Sequence, residues 1–96
     1  MVIAVDLDAL SDLCIRYGVA EIAVFGSMAS GDGNDNSDVD LLYTLKPDAT
    51  LGFGIDDLND ELETLFGRRV DLVARRALHP RMRREVLAQA RVLYAA

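Results

Sequence analysis

The chain reads as a small α/β protein in which a mixed β-sheet is covered by helices. Three observations predict this class. Segments with apolar residues at helical spacing alternate with short apolar runs rich in Val and Ile. Turn formers separate them, most densely in Gly31 to Ser37 (GDGNDNS). With three strands interleaved among helices, the economical architecture is a sheet with helices packed on one side.

Each element has its own signal. Asp6 to Tyr17 places Leu7, Leu10, Leu13, Cys14 and Tyr17 on one stripe, with Asp6 as N-cap and Gly18 just past the end. Glu21 to Phe25 (EIAVF) is short, apolar and β-branched, the pattern of a buried strand. Asp38 to Leu45 (DVDLLYTL) is the second strand. Ile55 to Phe66 carries Ile55, Leu58, Leu62, Leu65 and Phe66 on one face and closes on Gly67, so it is an amphipathic helix. Arg69 to Ala74 (RVDLVA) is the third strand. Pro80 opens a last helix, with Met82, Val86, Leu87, Ala90 and Leu93 turned inward.

Bulk properties narrow the function classes. At 96 residues, 51% hydrophobic and 27% charged, residues 1–96 are expected to form a single domain with one modest core. No stretch is apolar for long enough to span a bilayer, and the first residues lack the basic flank and cleavage site of a secretory leader. The single cysteine, Cys14, has no partner for an internal disulfide, so a cytoplasmic location is expected. The net charge of −6 conceals an asymmetry: residues 1–67 carry −12 and residues 68–96 carry +6, with every cation of the second segment an arginine. Arginine suits forked contacts to phosphate or carboxylate, although solvated faces account for most charge runs.

The chemistry concentrates on three aspartates. Side chains alternate along a strand, so Asp38 and Asp40 share a face while Val39 and Leu41 take the other. Two carboxylates side by side repel, and more so as the site dries out, which points to a cation between them. Asp71 repeats the pattern as one acid within Val70-Asp71-Leu72-Val73. If the second and third strands are neighbours, the three acids converge and present oxygen donors suited to Mg²⁺, as a two-metal clamp for phosphate transfer. Gly26-Ser27, at the end of the first strand, supplies the complementary anion site, since glycine lets a phosphate approach the backbone and serine adds a hydroxyl donor.

Other motifs fail on inspection. Gly31-x-Gly33 lacks the third glycine of a dinucleotide fingerprint and opens no helix. A calcium loop starting at Asp32 would need Gly at position 37 and Glu at position 43, which are Ser37 and Tyr43. Lys46 lies outside any glycine-rich loop, so there is no Walker lysine.

Gly26-Ser27, ten intervening residues and Asp38-x-Asp40 resemble the G-S-x10-D-x-D signature of the DNA polymerase β-like nucleotidyltransferase superfamily. Asp71 matches that superfamily's third acid. The size and the ending LHPRMRREVLAQARVLYA resemble the prokaryotic minimal nucleotidyltransferases, and the resemblance covers essentially the whole chain. It implies that Asp38 and Asp40 hold two Mg²⁺ ions, that Asp71 binds the catalytic metal and helps deprotonate the attacking hydroxyl, and that Gly26 and Ser27 grip the phosphates of ATP. It further implies a heteromeric complex with a HEPN-family toxin, which the minimal enzyme neutralises as antitoxin by transferring AMP to a tyrosine. No direct nucleic-acid or membrane binding is expected. Relatives often read G-S-R-A-R-G, whereas this chain has Met28 and Ser30 at the two arginine positions, with Arg75 and Arg76 as candidate substitutes. The competing reading is a catalytically weak antitoxin that works by occlusion.

Four lesser residues read as structural. His79 precedes Pro80 as a helix-start polar group, Cys14 sits on an apolar stripe, and Tyr43 and Tyr94 are better placed for packing than for stacking a base.

Overall fold

In the computed structural model, residues 5–26, 29, 38–52 and 54–96 are described. Helix α1 (Leu7–Tyr17) leads into strand β1 (Val19–Phe25), and β2 (Val39–Leu45) follows. Helix α2 (Gly54–Phe66) connects β2 to β3 (Val70–Ala74). A 3-10 turn (Arg75–Ala77), helix α3 (Pro80–Gln89) and strand β4 (Arg91–Ala95) complete the order.

Local chemistry accounts for the helix ends. Asp6 caps α1 by accepting from the backbone N–H groups of Asp8 (3.0 Å) and Ala9 (3.2 Å). Gly18 ends it at φ 71°, the left-handed conformation that glycine adopts without a Cβ penalty. A Cβ on Gly18 would also lie 2.7 Å from the Cβ of Ala49, so this position joins the helix end to the loop after β2. His79 caps α3 through Nδ1, which accepts from the Arg81 N–H at 3.1 Å, as its position before Pro80 predicts.

The four-stranded sheet has the order β3-β2-β1-β4. β1 is antiparallel to β2 and to β4, and β2 is parallel to β3. A parallel pair requires a crossover, which α2 provides. The β3 backbone is anchored by the Val70 N–H, donated to Glu63 Oε2 of α2 at 2.9 Å.

The last segment differs from expectation. The helix from Pro80 stops at Gln89, where Ala90 turns extended at ψ 142°, and Arg91–Ala95 forms a strand instead of carrying Leu93 on a helix face. The physical reason is long-range. β1 would otherwise leave its outer edge of N–H and C=O groups unpaired, and β4 satisfies them.

The helices also take both faces of the sheet rather than one. On one side α1 and α2 bury Leu10, Leu13, Cys14, Leu58, Leu62 and Phe66 against Ile22, Val24, Val39 and Leu41. On the other, Val86 and Leu87 of α3 and the following Ala90 pack with Ala23, Leu42 and Leu78. Cys14 is fully buried, and Tyr43 and Tyr94 pack against the larger cluster, as their sequence positions predict. Leu7, placed on the inward stripe by its spacing, is 55% exposed. Among the described residues no helix is long and apolar enough to cross a membrane.

Candidate active site

The parallel pairing of β2 and β3 sets Asp40 directly opposite Asp71. Directly opposed residues point to the same face, so both carboxylates leave the sheet on the side occupied by α3. Asp38 lies one residue before β2 and is exposed. The Val39 N–H binds the Arg69 carbonyl at 2.8 Å and holds this end of β2 against the start of β3.

β1 brings the glycine to the same place. Phe25 pairs with Asp40, and Gly26 follows at φ 73°. A Cβ on Gly26 would collide with Asp40 Oδ2 and stand 3.3 Å from Asp40 Cγ. The space a side chain would need is thus occupied by the carboxylate, so a larger residue would be strained at this φ and would push the Asp40 side chain aside. The Gly26 carbonyl accepts from the Ala29 N–H at 3.1 Å, and Ala29 is buried. Ser27, Met28, Ser30 and the GDGNDNS span lie outside the described residues.

The electrostatics follow from the placement. Burial raises the Asp40 carboxyl above the ordinary carboxylate range, and the negative charges of Asp71 and Asp38 raise it further. Those two charges identify the three acids as one electrostatic group with Asp40 at its centre. They do not form a closed cage: among the described residues no three His, Cys, Asp or Glu side chains are grouped tightly enough to enclose an ion. This donor set fits Mg²⁺ in the manner usual for phosphate chemistry, with one or two carboxylates per ion and the remaining positions left to water and substrate phosphate.

Arg75 and Arg76 do not substitute at this site. They sit in the 3-10 turn that follows β3, at the opposite end of that strand from Asp71. Arg75 instead pairs with Glu21 at 3.7 Å. His79 is committed to capping α3.

The matching family model is the nucleotidyltransferase domain, aligned over residues 8–94, and the chain belongs to this family. Its reaction class is therefore nucleotidyl transfer. The protein adenylyltransferase MntA of Thermococcus cleftensis is 40% identical over 74 residues, which cover 77% of this chain and 74% of that protein. A solved structure described as a minimal nucleotidyltransferase matches at TM-score 0.74 with 41% identity, over 88% of this chain and 86% of the other. The MNT antitoxin in complex with a tri-AMPylated HEPN toxin of Shewanella oneidensis matches at TM-score 0.65. That match covers 94% of this chain and 70% of the other at 20% identity, a likeness of fold.

Proposed function

We propose that this protein is the antitoxin of a HEPN-type toxin–antitoxin pair and transfers AMP from ATP to a tyrosine hydroxyl of its partner. The observation that carries this reading is the pairing of Asp40 with Asp71, with Gly26 at φ 73° set against the Asp40 carboxylate. The relatives named as a protein adenylyltransferase and as an antitoxin bound to an AMPylated toxin support the choice of nucleotide and acceptor.

In this reading Asp38 and Asp40 would hold two Mg²⁺ ions and Asp71 would contribute to the catalytic one. The metal supplies charge neutralisation of the phosphates and of the developing negative charge. The tyrosine oxygen attacks the α-phosphorus in line, an O–P bond forms, the α–β bridging bond breaks and pyrophosphate departs. Asp71 draws the phenolic proton away as the bond forms. In this reading the backbone at Gly26 and the hydroxyl of Ser27 contact the phosphates. Most of the rate then comes from positioning and charge complementarity. The cytoplasm is the site of action in this reading, consistent with a lone, buried, unpaired cysteine.

The test is to incubate the protein with the HEPN protein encoded beside it, Mg²⁺ and ATP, and to measure the intact mass of the partner. The expected result is a mass increase of one or more AMP groups that requires Asp38 and Asp40. An unmodified partner, with toxicity still suppressed by the Asp38→Ala, Asp40→Ala double variant, would establish occlusion instead.

A further inference from the structure

A cavity of about 770 Å³ opens at the far end of β2 and β3 from the carboxylates. Tyr43, Leu45 and Leu51 give it apolar walls. Lys46, Arg75, Arg76 and Arg83 also line it, and among the described residues no carboxylate does. These cations arrive from separate places: the residue after β2, the 3-10 turn and α3. Four of the ten Lys and Arg residues of a chain with net charge −6 thus surround one opening. Arg75 has Glu21 as a neighbour at 3.7 Å, and no ion pair with a described residue forms at Lys46, Arg76 or Arg83.

The cavity is separate from the aspartate site. Asp40, Leu42 and Thr44 share one face of β2, and Leu42 between them is 3% exposed. It is covered by Leu78, with Val73 and Leu87 packed around it. An apolar cluster therefore stands between the carboxylates and the arginines.

We propose that this cavity is a second binding site, for a phosphorylated small molecule of nucleotide size, distinct from the aspartate site. Gathered like charges repel one another, and an anion among them removes that cost. Arginine forks match phosphate oxygens in pairs. The volume lies within the range of small-molecule sites, roughly 300–1,000 Å³. The half-buried Tyr43 offers an aromatic edge to the organic part of such a ligand. The inference stands independently of the reaction assigned to the aspartates.

The experiment is titration calorimetry of the purified full chain with inorganic triphosphate and with ADP, in EDTA. Without a divalent cation, the three aspartates repel polyphosphate, so saturable binding reports the second site. The Lys46→Gln, Arg83→Gln double variant should bind at least ten-fold more weakly, whereas Asp40→Asn should bind as the parent does. Tighter binding of ADP than of inorganic triphosphate would assign the ligand as a nucleotide, and equal or weaker binding would assign the phosphate chain as the recognised part. Backbone amide chemical-shift mapping provides a second reading that needs no variant, with shifts expected over residues 43–52 and 75–87. Absence of saturable metal-free binding, shifts confined to Gly26, Asp38 and Asp40, or preference for polyglutamate over triphosphate would each overturn the proposal.

Discussion

Replacing Asp40 by Asn should stabilise the protein while abolishing nucleotidyl transfer. Asp40 and Asp71 occupy opposed positions on adjacent strands, which are about 4.8 Å apart. Two unit charges about 5 Å apart repel by ~3 kcal/mol at an effective dielectric of about 20 and by ~0.8 kcal/mol in water. Asp71 is exposed, so the lower end applies, and the expected gain is about 1 kcal/mol. For a chain of this size that corresponds to a rise in melting temperature of roughly 4–8 °C. The pH dependence follows from the direction of the shift. The folded state raises the Asp40 pKa, so it holds the proton more tightly than the unfolded chain does. The destabilisation is therefore full above the raised value and disappears as pH falls through it and below the ordinary 3.8. Thermal melts in EDTA at neutral pH and again near pH 3 would measure both ends. Adding Mg²⁺ at neutral pH should stabilise the parent more than the variant. A variant that melts at or below the parent temperature at neutral pH, or an advantage that persists unchanged in acid, would refute the electrostatic account.

Three further outcomes are expected. Gly26→Ala should cost about 1–3 kcal/mol from its left-handed backbone and should also displace Asp40, so urea unfolding would show the loss while transfer activity falls far more steeply. Glu61 accepts from the Tyr17 hydroxyl and, at 3.1 Å, from Arg16, and these bonds lower its pKa. That contribution is present above the ordinary carboxylate range and lost as pH falls through the lowered value, so Glu61→Gln should flatten the acid limb of the stability curve. Cys14 is fully buried, and burial raises its thiol pKa to about 11. A chromogenic disulfide reagent at neutral pH should therefore label it at the unfolding-limited rate, and immediate labelling of the native protein would contradict the packing of α1.

Much of the fold could be read from short-range pattern. The Asp6 cap, the Gly18 and Gly67 stops and the apolar stripes of α1 and α2 are properties of consecutive residues, and they mark the same helices in the structure. β4 was not legible in that way. Ala90 and Leu93 continue a helical spacing from Val86 and Leu87, and a five-residue apolar run has no period of its own strong enough to contradict it. Its conformation depends on the vacant edge of β1, which lies some seventy residues earlier. The position of α3 on the opposite face from α1 and α2 depends on the same strand, because pairing with β1 fixes where the segment after Gln89 must run.

The site divides along the same line. By itself the sequence singled out the candidate residues, since Gly26, Asp38, Asp40 and Asp71 stand out as small or charged residues within or beside apolar strands. Alternation along the strand read from Asp38 to Leu45 also predicted that Asp38 and Asp40 share a face. Only the tertiary structure decided that Asp71 faces Asp40, because that depends on β2 and β3 being neighbours in parallel register. It alone decided that Gly26 lies against the Asp40 carboxylate, a contact between residues fourteen apart in the chain. It also separated Arg75 and Arg76 from the aspartates and joined them with Lys46 and Arg83 around a different opening. The physical reason is common to these cases. Residue type and spacing act through local geometry, whereas strand pairing sets which distant charges meet.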